Sequence, residues 1–527
     1  MSISIYLINP ASDFPTYFSA EVFAGRGLNP AAFMADLSIA TVAGMLPEDF
    51  DVRLCDENIS PVDFNTPADY IGITGKVTQH NRMVAIAQEF RRRGKVVIIG
   101  GSFASLSPDH LRPYCDILVR GEAEDVFEEL CSDLKNSSWK EEYLGGRPDL
   151  SHTAIPKWQD YPNERVLMGA LQTSRGCPFE CEFCDVIQYL GRKQRHKSIS
   201  QVLNELDELY RYGYRAIFLA DDNFTAYRSR AKELLAALRA WNSRQTDGKC
   251  WFTTQVSIDA AKDDELIRMC AEAGIMNVFI GIETPNEGSL KETKKRQNVG
   301  IDLAGFIQRF LDHGISVIGG MIVGFDSDGP DIFKRQFEFA MSTPIPIFTL
   351  GALVAPEATP LFDRMVKEGR LVSDGSEAAA MPWSTNIIPR QMTREQLFEG
   401  IRWLCNSLYH PAAFADRVSL FIDKLGKSAG PDKKDYTGLS RSIGIDAVRV
   451  IAKLLSSDRP EDKILSSLIA KASTKPEAKV YLKMALIQYA QIRYMYEQGS
   501  FWDYQLASEP PPTFVAGGAP IPIRLHH

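Results

Sequence analysis

Three cysteines fall within eight residues, in Arg175-Gly176-Cys177-Pro178-Phe179-Glu180-Cys181-Glu182-Phe183-Cys184. Thiolates are soft ligands suited to iron–sulfur clusters and to zinc. A closed structural zinc site needs four ligands. No fourth Cys or His stands here at finger-like spacing, and His196, twelve residues on, is the nearest candidate. Three thiolates can instead hold three corners of a [4Fe–4S] cluster and leave the fourth iron open to a small molecule. A zinc knuckle is the competing reading. The chain has nine cysteines, and in a reducing compartment such a cluster points to metal before disulfide.

These cysteines need elements to position them. Apolar runs at Ile3 to Ile8, Phe50 to Cys55, Asp69 to Thr74, Lys95 to Ile99 and Asp116 to Val119 read as strands, with helical spacing at His80 to Arg93 and Ala123 to Leu134 between them. Strands alternating with helices imply a parallel sheet covered on both faces, which binds ligands at the carboxyl ends of its strands. Residues 136–165 are polar and rich in Pro and Gly and read as a linker. A second series follows, with strands at Val166 to Thr173, Ala216 to Ala220, Trp251 to Ile258, Asn277 to Glu283, Ser316 to Gly324 and Ile347 to Val354. Six such units are too few for an eightfold barrel and predict a partial one. The cysteines then lie just past its first strand. After 360 strand signals fade. Thr393-Arg394-Glu395-Gln396 has capping-box form, and Val480 to Tyr496 is apolar at helical spacing. The fold class is α/β: a doubly wound, Rossmann-like domain over 1–135, a linker over 136–165, a partial (β/α)6 barrel over 166–360 and a mainly helical region over 361–527. The last residues, PPPTFVAGGAPIPIRLHH, read as an irregular tail.

The Cys-x-x-x-Cys-x-x-Cys spacing, with aromatic Phe183 before the last cysteine, resembles the radical S-adenosylmethionine (SAM) superfamily over about 165–360. The resemblance implies that Cys177, Cys181 and Cys184 hold a [4Fe–4S] cluster whose open iron chelates SAM. One electron then cleaves the sulfonium to a deoxyadenosyl radical, which removes hydrogen from unactivated carbon. Asp221 and Asp222, after the second barrel strand, stand where the family receives the SAM ammonium; a helix cap is the alternative use of such residues. Glu283 is placed for the ribose, and Met321, in the glycine-bearing fifth strand, for the adenine. Gln255 and Ser257 are SAM contacts or core-lining residues.

The first domain ends three neighbouring strands in small residues: Thr74-Gly75-Lys76-Val77-Thr78, Gly100-Gly101-Ser102 and Gly121-Glu122. Glycines there would leave a shelf for a flat ligand. This resembles the cobalamin-binding domain of cobalamin-dependent radical SAM methylases, and implies cobalamin contacts at these residues. The Asp-x-His-x-x-Gly motif that supplies a cobalt ligand elsewhere is absent; Asn9-Pro10-Ala11-Ser12-Asp13-Phe14 stands after the first strand. Lys76 or Val77 would then control axial access, while His80 reads as a helix-terminal surface residue. Pro356-Glu357-Ala358-Thr359-Pro360-Leu361 resembles the family's closing turn, with Ala358 where Gly is usual. The C-terminal region resembles the subgroup of hopanoid 2-methylases and bacteriochlorophyll methylases.

The implied reaction is methylation of an unactivated carbon of a small, apolar or lipid-like substrate, fed by a flavodoxin- or ferredoxin-type electron donor. Aminocarboxypropyl transfer or ring rearrangement with the same cofactors, and a non-catalytic cobalamin or metal sensor, are the rivals. Hopanoid-like lipid, tetrapyrrole and natural-product scaffold all remain open as substrates. Aromatics in the last third, among them Trp383, Phe398, Trp403, Tyr409, Tyr489, Tyr494, Tyr496, Phe501, Trp502 and Tyr504, either line an apolar pocket or pack a core. Lys plus Arg number 59 against 67 Asp plus Glu, a net charge of -8 over 527 residues. That argues against a whole-protein nucleic-acid footprint. Arg91-Arg92-Arg93 reads as a solvated helix end. No run approaches a membrane span, and the N-terminus lacks signal-peptide form, so a cytoplasmic location is expected.

Overall fold

The computed structural model describes residues 3–372, 381, 383–428, 430, 441–456 and 460–512. Its strands are β1 (Ile3–Asn9), β2 (Ala32–Met34), β3 (Phe50–Asp56), β4 (Tyr70–Thr74), β5 (Val96–Gly100), β6 (Ile117–Arg120), β7 (Glu142–Leu144), β8 (Val166–Leu171), β9 (Ser174–Arg175), β10 (Arg195–His196), β11 (Ala216–Leu219), β12 (Trp251–Gln255), β13 (Ile275–Glu283), β14 (Ser316–Val323) and β15 (Ile347–Ala352). The first sheet is parallel in the order β3-β1-β4-β5-β6-β7. Its middle strands are near-continuous β-branched runs, such as Val96-Val97-Ile98-Ile99, because helices cover both faces. The second sheet is parallel in the order β15-β14-β13-β12-β11-β8-β2. This is the expected partial barrel, open rather than closed.

Two features differ from the sequence reading. Residues 136–165 are not only a linker: β7 adds a sixth strand to the first sheet, with Val119 opposite Tyr143. Three residues of the first domain belong to the other sheet: β2 pairs Ala32 with Val166 and Met34 with Met168. Strands of three residues carry too little periodicity to register in sequence.

The barrel's open side is covered by chain from both ends. Tyr17, past β1, donates to the Leu350 carbonyl (2.9 Å) and meets the Tyr496 hydroxyl at 2.8 Å. Phe18 packs on Phe33 and Phe279. Gln491, on the C-terminal helix Lys479–Gln498, donates to the Thr16 carbonyl and accepts from the Val22 amide. That helix buries Gln488, Gln491 and Arg493 along with its apolar residues, because chain surrounds it. The capping box starts the helix Arg394–Tyr409 as expected: the Gln396 amide donates to Thr393 Oγ1 (3.1 Å) and the Thr393 amide to Gln396 Oε1 (2.9 Å). Most of the C-terminal aromatics pack on one another, with Trp383 stacked on Phe501 at 4.2 Å and the Arg493 guanidinium 3.8 Å from the Trp502 ring. These contacts are core packing. Arg91, Arg92 and Arg93 pair with Asp116 and Glu89 at a helix end. The tail from 513 onward lies outside the described residues. Among the described residues no helix is long and apolar enough to cross a membrane.

Candidate cluster and cofactor site

The cysteine loop follows β8 and β9, at the carboxyl end of the second sheet, and is held by backbone. Gly176 has φ 96°, and a Cβ there would stand 2.9 Å from both the Gly191 and Lys193 carbonyl oxygens. Only glycine lets the loop pass that turn. The Cys177 amide donates to the Gly191 carbonyl (3.2 Å), the Glu182 amide to the Thr293 carbonyl (3.0 Å) and the Leu361 amide to the Glu182 carbonyl (3.2 Å). The Glu182 carboxylate takes a two-pronged contact from Arg364, at 2.8 and 3.0 Å, the geometry that makes Arg–carboxylate pairs strong and directional. Phe183 packs against Phe325.

All three thiols are free, Cys181 buried and Cys177 and Cys184 half-buried. Burial pushes the Cys177 thiol up and the Cys184 thiol up to about 12. The three thiols stand on one loop with no fourth Cys or His at finger-like spacing, a donor set that suits three corners of a [4Fe–4S] cluster. Gln297 Nε2 lies 3.6 Å from Cys181 Sγ. Half-buried Lys295 pairs with Glu283 at 2.7 Å.

The two acids after β11 divide their work. Asp221 is buried and accepts from the Thr173 amide (2.6 Å), the Ser174 amide (3.1 Å) and both hydroxyls. Those contacts use its lone pairs, so it anchors the chain entering the cysteine loop and has nothing left for an ammonium. Among the described residues Asp222 accepts only the Gly176 amide (2.8 Å), and burial pushes its carboxyl up to about 6. It is the one of the pair able to receive a cation. Ser257 takes the Asn223 side-chain amide at 2.7 Å, and Gln255 ends β12 half-buried beside it. Glu283 sits at φ 64°, an uncommon conformation for a side-chain-bearing residue, at a bulge in β13. Met321 does not face the barrel interior. Alternation along β14 puts it with Val317, Gly319 and Val323 on the helix-covered side, leaving Ile318, Gly320 and Ile322 toward the lumen. Its side chain cannot serve an adenine there.

A cavity of about 410 Å³ opens at the carboxyl ends of the first sheet. Thr74, Gly75, Lys76, Gly100, Gly101, Ser102, Gly121 and Glu122 line it; Val77 and Thr78 do not. From that mouth it runs down between the sheet face (Ile5, Leu7, Gly72, Ile98, Val119) and two helices, as far as Met45 and Leu134. Gln172, Arg175, Tyr189, Leu190 and Ala220 of the second sheet's side close its top. Among the described residues the lining contains no histidine. The glycines do other work than the expected shelf. A Cβ on Gly101 would strike Thr74 Oγ1 at 2.7 Å and one on Gly121 the Gly145 carbonyl at 2.3 Å; both residues sit at positive φ and let neighbouring loops touch. The deep, mostly apolar slot, rather than a bare glycine shelf, is what fits an extended tetrapyrrole cofactor with a long tail.

Glu122 is not an open ligand either. It is buried against Arg175 (2.6 Å) and Arg195, and Arg175 also pairs with Glu124 at 2.8 Å. Four charged side chains thus tie the first domain to β9, which precedes Cys177, and to its partner β10. Sequence reasoning missed Arg175 and Arg195; the Arg-Gly directly before the first cysteine was the available signal.

Family models match in three places: a B12 binding domain over 26–131, the radical SAM superfamily over 171–339 and a domain of unknown function over 359–491. An uncharacterized methyltransferase of Synechocystis is 32% identical over 83% of this chain and 81% of its own length. The hopanoid C-2 methylase of Rhodopseudomonas palustris is 32% identical over 65% of this chain and 66% of its own. The solved structure of the cobalamin-dependent SAM radical enzyme OxsB, with aqua-cobalamin and SAM bound, shares the fold with a TM-score of 0.59 at 17% identity, covering 94% of this chain and 80% of that one. The chain therefore belongs to the cobalamin-binding radical SAM enzymes, whose cofactors are a [4Fe–4S] cluster, SAM and cobalamin.

Proposed function

We propose that this protein methylates an unactivated carbon of a small apolar molecule. The observation that carries the reading is the shared wall of the cavity: residues that enclose it from above, Gln172 and Arg175, directly precede the cluster cysteines in the chain. A cobalamin in that slot would face the cluster loop across one layer of side chains. When bound, cluster and SAM would supply a radical that takes a hydrogen atom from a substrate carbon, and cobalamin would supply the methyl group.

The chain's own residues bind, orient and exclude water. Cys177, Cys181 and Cys184 hold the cluster. Asp222 receives the SAM ammonium through a charge-assisted hydrogen bond, with Gln255 and Ser257 beside it. Glu283, fixed by Lys295, accepts from ribose hydroxyls. The slot under Thr74, Gly75, Lys76, Gly100, Gly101, Ser102 and Gly121 would take the cobalamin tail. Lumen positions Phe218, Phe279, Ile318 and Ile322 are apolar and half-buried, which supports an apolar substrate held away from water.

The test is turnover of anaerobically reconstituted protein with cobalamin, SAM, a reductant and candidate apolar acceptors. Methylation predicts S-adenosylhomocysteine and 5'-deoxyadenosine in comparable amounts, with the methyl label in product. Methylthioadenosine would instead mean aminocarboxypropyl transfer, and no SAM cleavage by a reduced cluster would leave a sensor.

A further inference from the structure

The three cluster cysteines do not all take their hydrogen bonds from the same kind of donor. Cys177 Sγ accepts from the Phe179 amide, and Cys184 Sγ from the Val186 and Ile187 amides. Backbone donors of that sort come with the loop whatever its side chains are. Cys181 is served differently: Gln297 Nε2 donates to its Sγ at 3.6 Å, across 116 residues of chain. Among the described residues Gln297 is the one side chain that donates to any of the three sulfurs, and this is the one hydrogen bond its own side chain makes. Its Oε1 is buried without a donor. The turn that carries it is fixed from two sides. The Thr293 carbonyl takes the Glu182 amide of the cysteine loop (3.0 Å), and the Asn298 side chain donates to the Gly281 and Ile282 carbonyls near the end of β13 (2.9 and 3.0 Å). Lys294 and Arg296 on this turn are exposed, whereas Lys295 and Gln297 are half-buried and Asn298 is buried.

We infer that Gln297 is a positioning residue of the cluster, whose amide donates to the Cys181 sulfur and makes the cluster easier to reduce by one electron. This role deepens the proposed function and rests on its reading of the three cysteines. Reduction adds one negative charge to the cluster, and the sulfurs share it. An N–H dipole aimed at one of them stabilises the reduced form more than the oxidised form, and so raises the reduction potential. A cluster-bound thiolate has no proton to give and can only accept, so the amide must present Nε2 and not Oε1 to it. That is the orientation in the structure. Packing alone does not account for an amide at this place. A buried carbonyl oxygen with no donor is a cost that Met, of similar length and volume, would not carry. What the other end of the amide does for Cys181 explains why it is there. The step affected passes one electron from a reductant to the cluster core, which goes from 2+ to 1+, and no bond is made or broken.

The experiment uses the full chain, reconstituted without air with iron, sulfide and cobalamin. Parent protein carrying nitrogen-15 only in its glutamine side-chain amides is reduced with dithionite, and the paramagnetic cluster is measured by pulsed EPR. A nitrogen-15 coupling to the cluster is expected, and it should vanish in Gln297→Met, which keeps the length of the side chain and loses the N–H. Redox titration with mediators then gives the potential. Gln297→Met should be about tenfold harder to reduce, which for one electron is about 59 mV. Gln297→Glu, a carboxylate of the same shape with no N–H, should be harder still to reduce. A reduced parent cluster with no coupling to glutamine nitrogen overturns the role of Gln297, whether or not the variants assemble. So does a Gln297→Met cluster that titrates with the parent, since a merely structural glutamine would lower the melting temperature and leave the potential where it was. Parent protein that forms no four-iron cluster at all refutes the proposed function itself, a failure distinct from a cluster that forms and ignores Gln297.

Discussion

Glu122 offers the sharpest test of how the two sheets are joined. Its side chain is 1% exposed and faces Arg175 and Arg195, each 12% exposed. Removing one partner of a buried pair typically costs about 3–5 kcal/mol, because the other charge is left uncompensated. Arg175 would keep Glu124 at 2.8 Å. Arg195 would keep only the Pro148 and Leu190 carbonyls. Glu122→Gln should therefore fall at the lower end, about 3 kcal/mol, or a factor of about 150 in the unfolding equilibrium. Arg195→Met should cost a similar amount. The double variant removes both charges and should return to within about 1 kcal/mol of the parent, since a buried pair replaced whole is often neutral. Urea unfolding of the cofactor-free chain, followed through its first tryptophan transition, measures all four. A Glu122→Gln loss under about 1 kcal/mol, or a double variant whose loss is the sum of the singles, would refute the claim that this pair clamps the domains.

Three further outcomes follow from the geometry. Asp221→Asn should lower stability by about 2 kcal/mol, since its amide nitrogen cannot accept from Thr173 and Ser174, whereas Asp222→Asn should leave the melting temperature near the parent and weaken SAM binding by tenfold or more; equal effects of the two on melting would contradict the division. Asp56 is buried beside Asp36, and burial raises its pKa from 3.8 to about 6. The native state thus binds a proton that the unfolded chain has already released between those values, so this group's contribution is complete below about pH 4 and is lost as pH rises through 6. The loss is about 3 kcal/mol. In melting curves from pH 4 to 7, Asp56→Asn should flatten that decline; an unchanged slope assigns it to other groups. Ala358 holds φ 63° in the turn before the helix Pro360–Lys367, and Ala358→Gly should raise stability by about 0.5–1 kcal/mol in the same melts despite glycine's greater unfolded-state freedom.

Local and periodic features are legible along the chain. Three thiols at fixed spacing must share one loop, and a run such as Val96-Val97-Ile98-Ile99 can only be a strand buried on both sides. The alternation of these strands with helical stretches therefore gave both sheets and the cluster ligands. Strands too short to show a period, β2 and β7, left no such trace. Which polar groups are already spent depends on how the elements dock. Asp221 and Asp222 are chemically identical neighbours, yet one meets four donors of the preceding strand and the other only one. Gly101 and Gly121 read as a bare shelf, and folding uses them to bring loops together. Glu122 lies in one domain and its two arginines 53 and 73 residues away in another. Hydrogen-bond and charge partners at such separations are set by how the sheets dock, and no spacing rule along the chain encodes that.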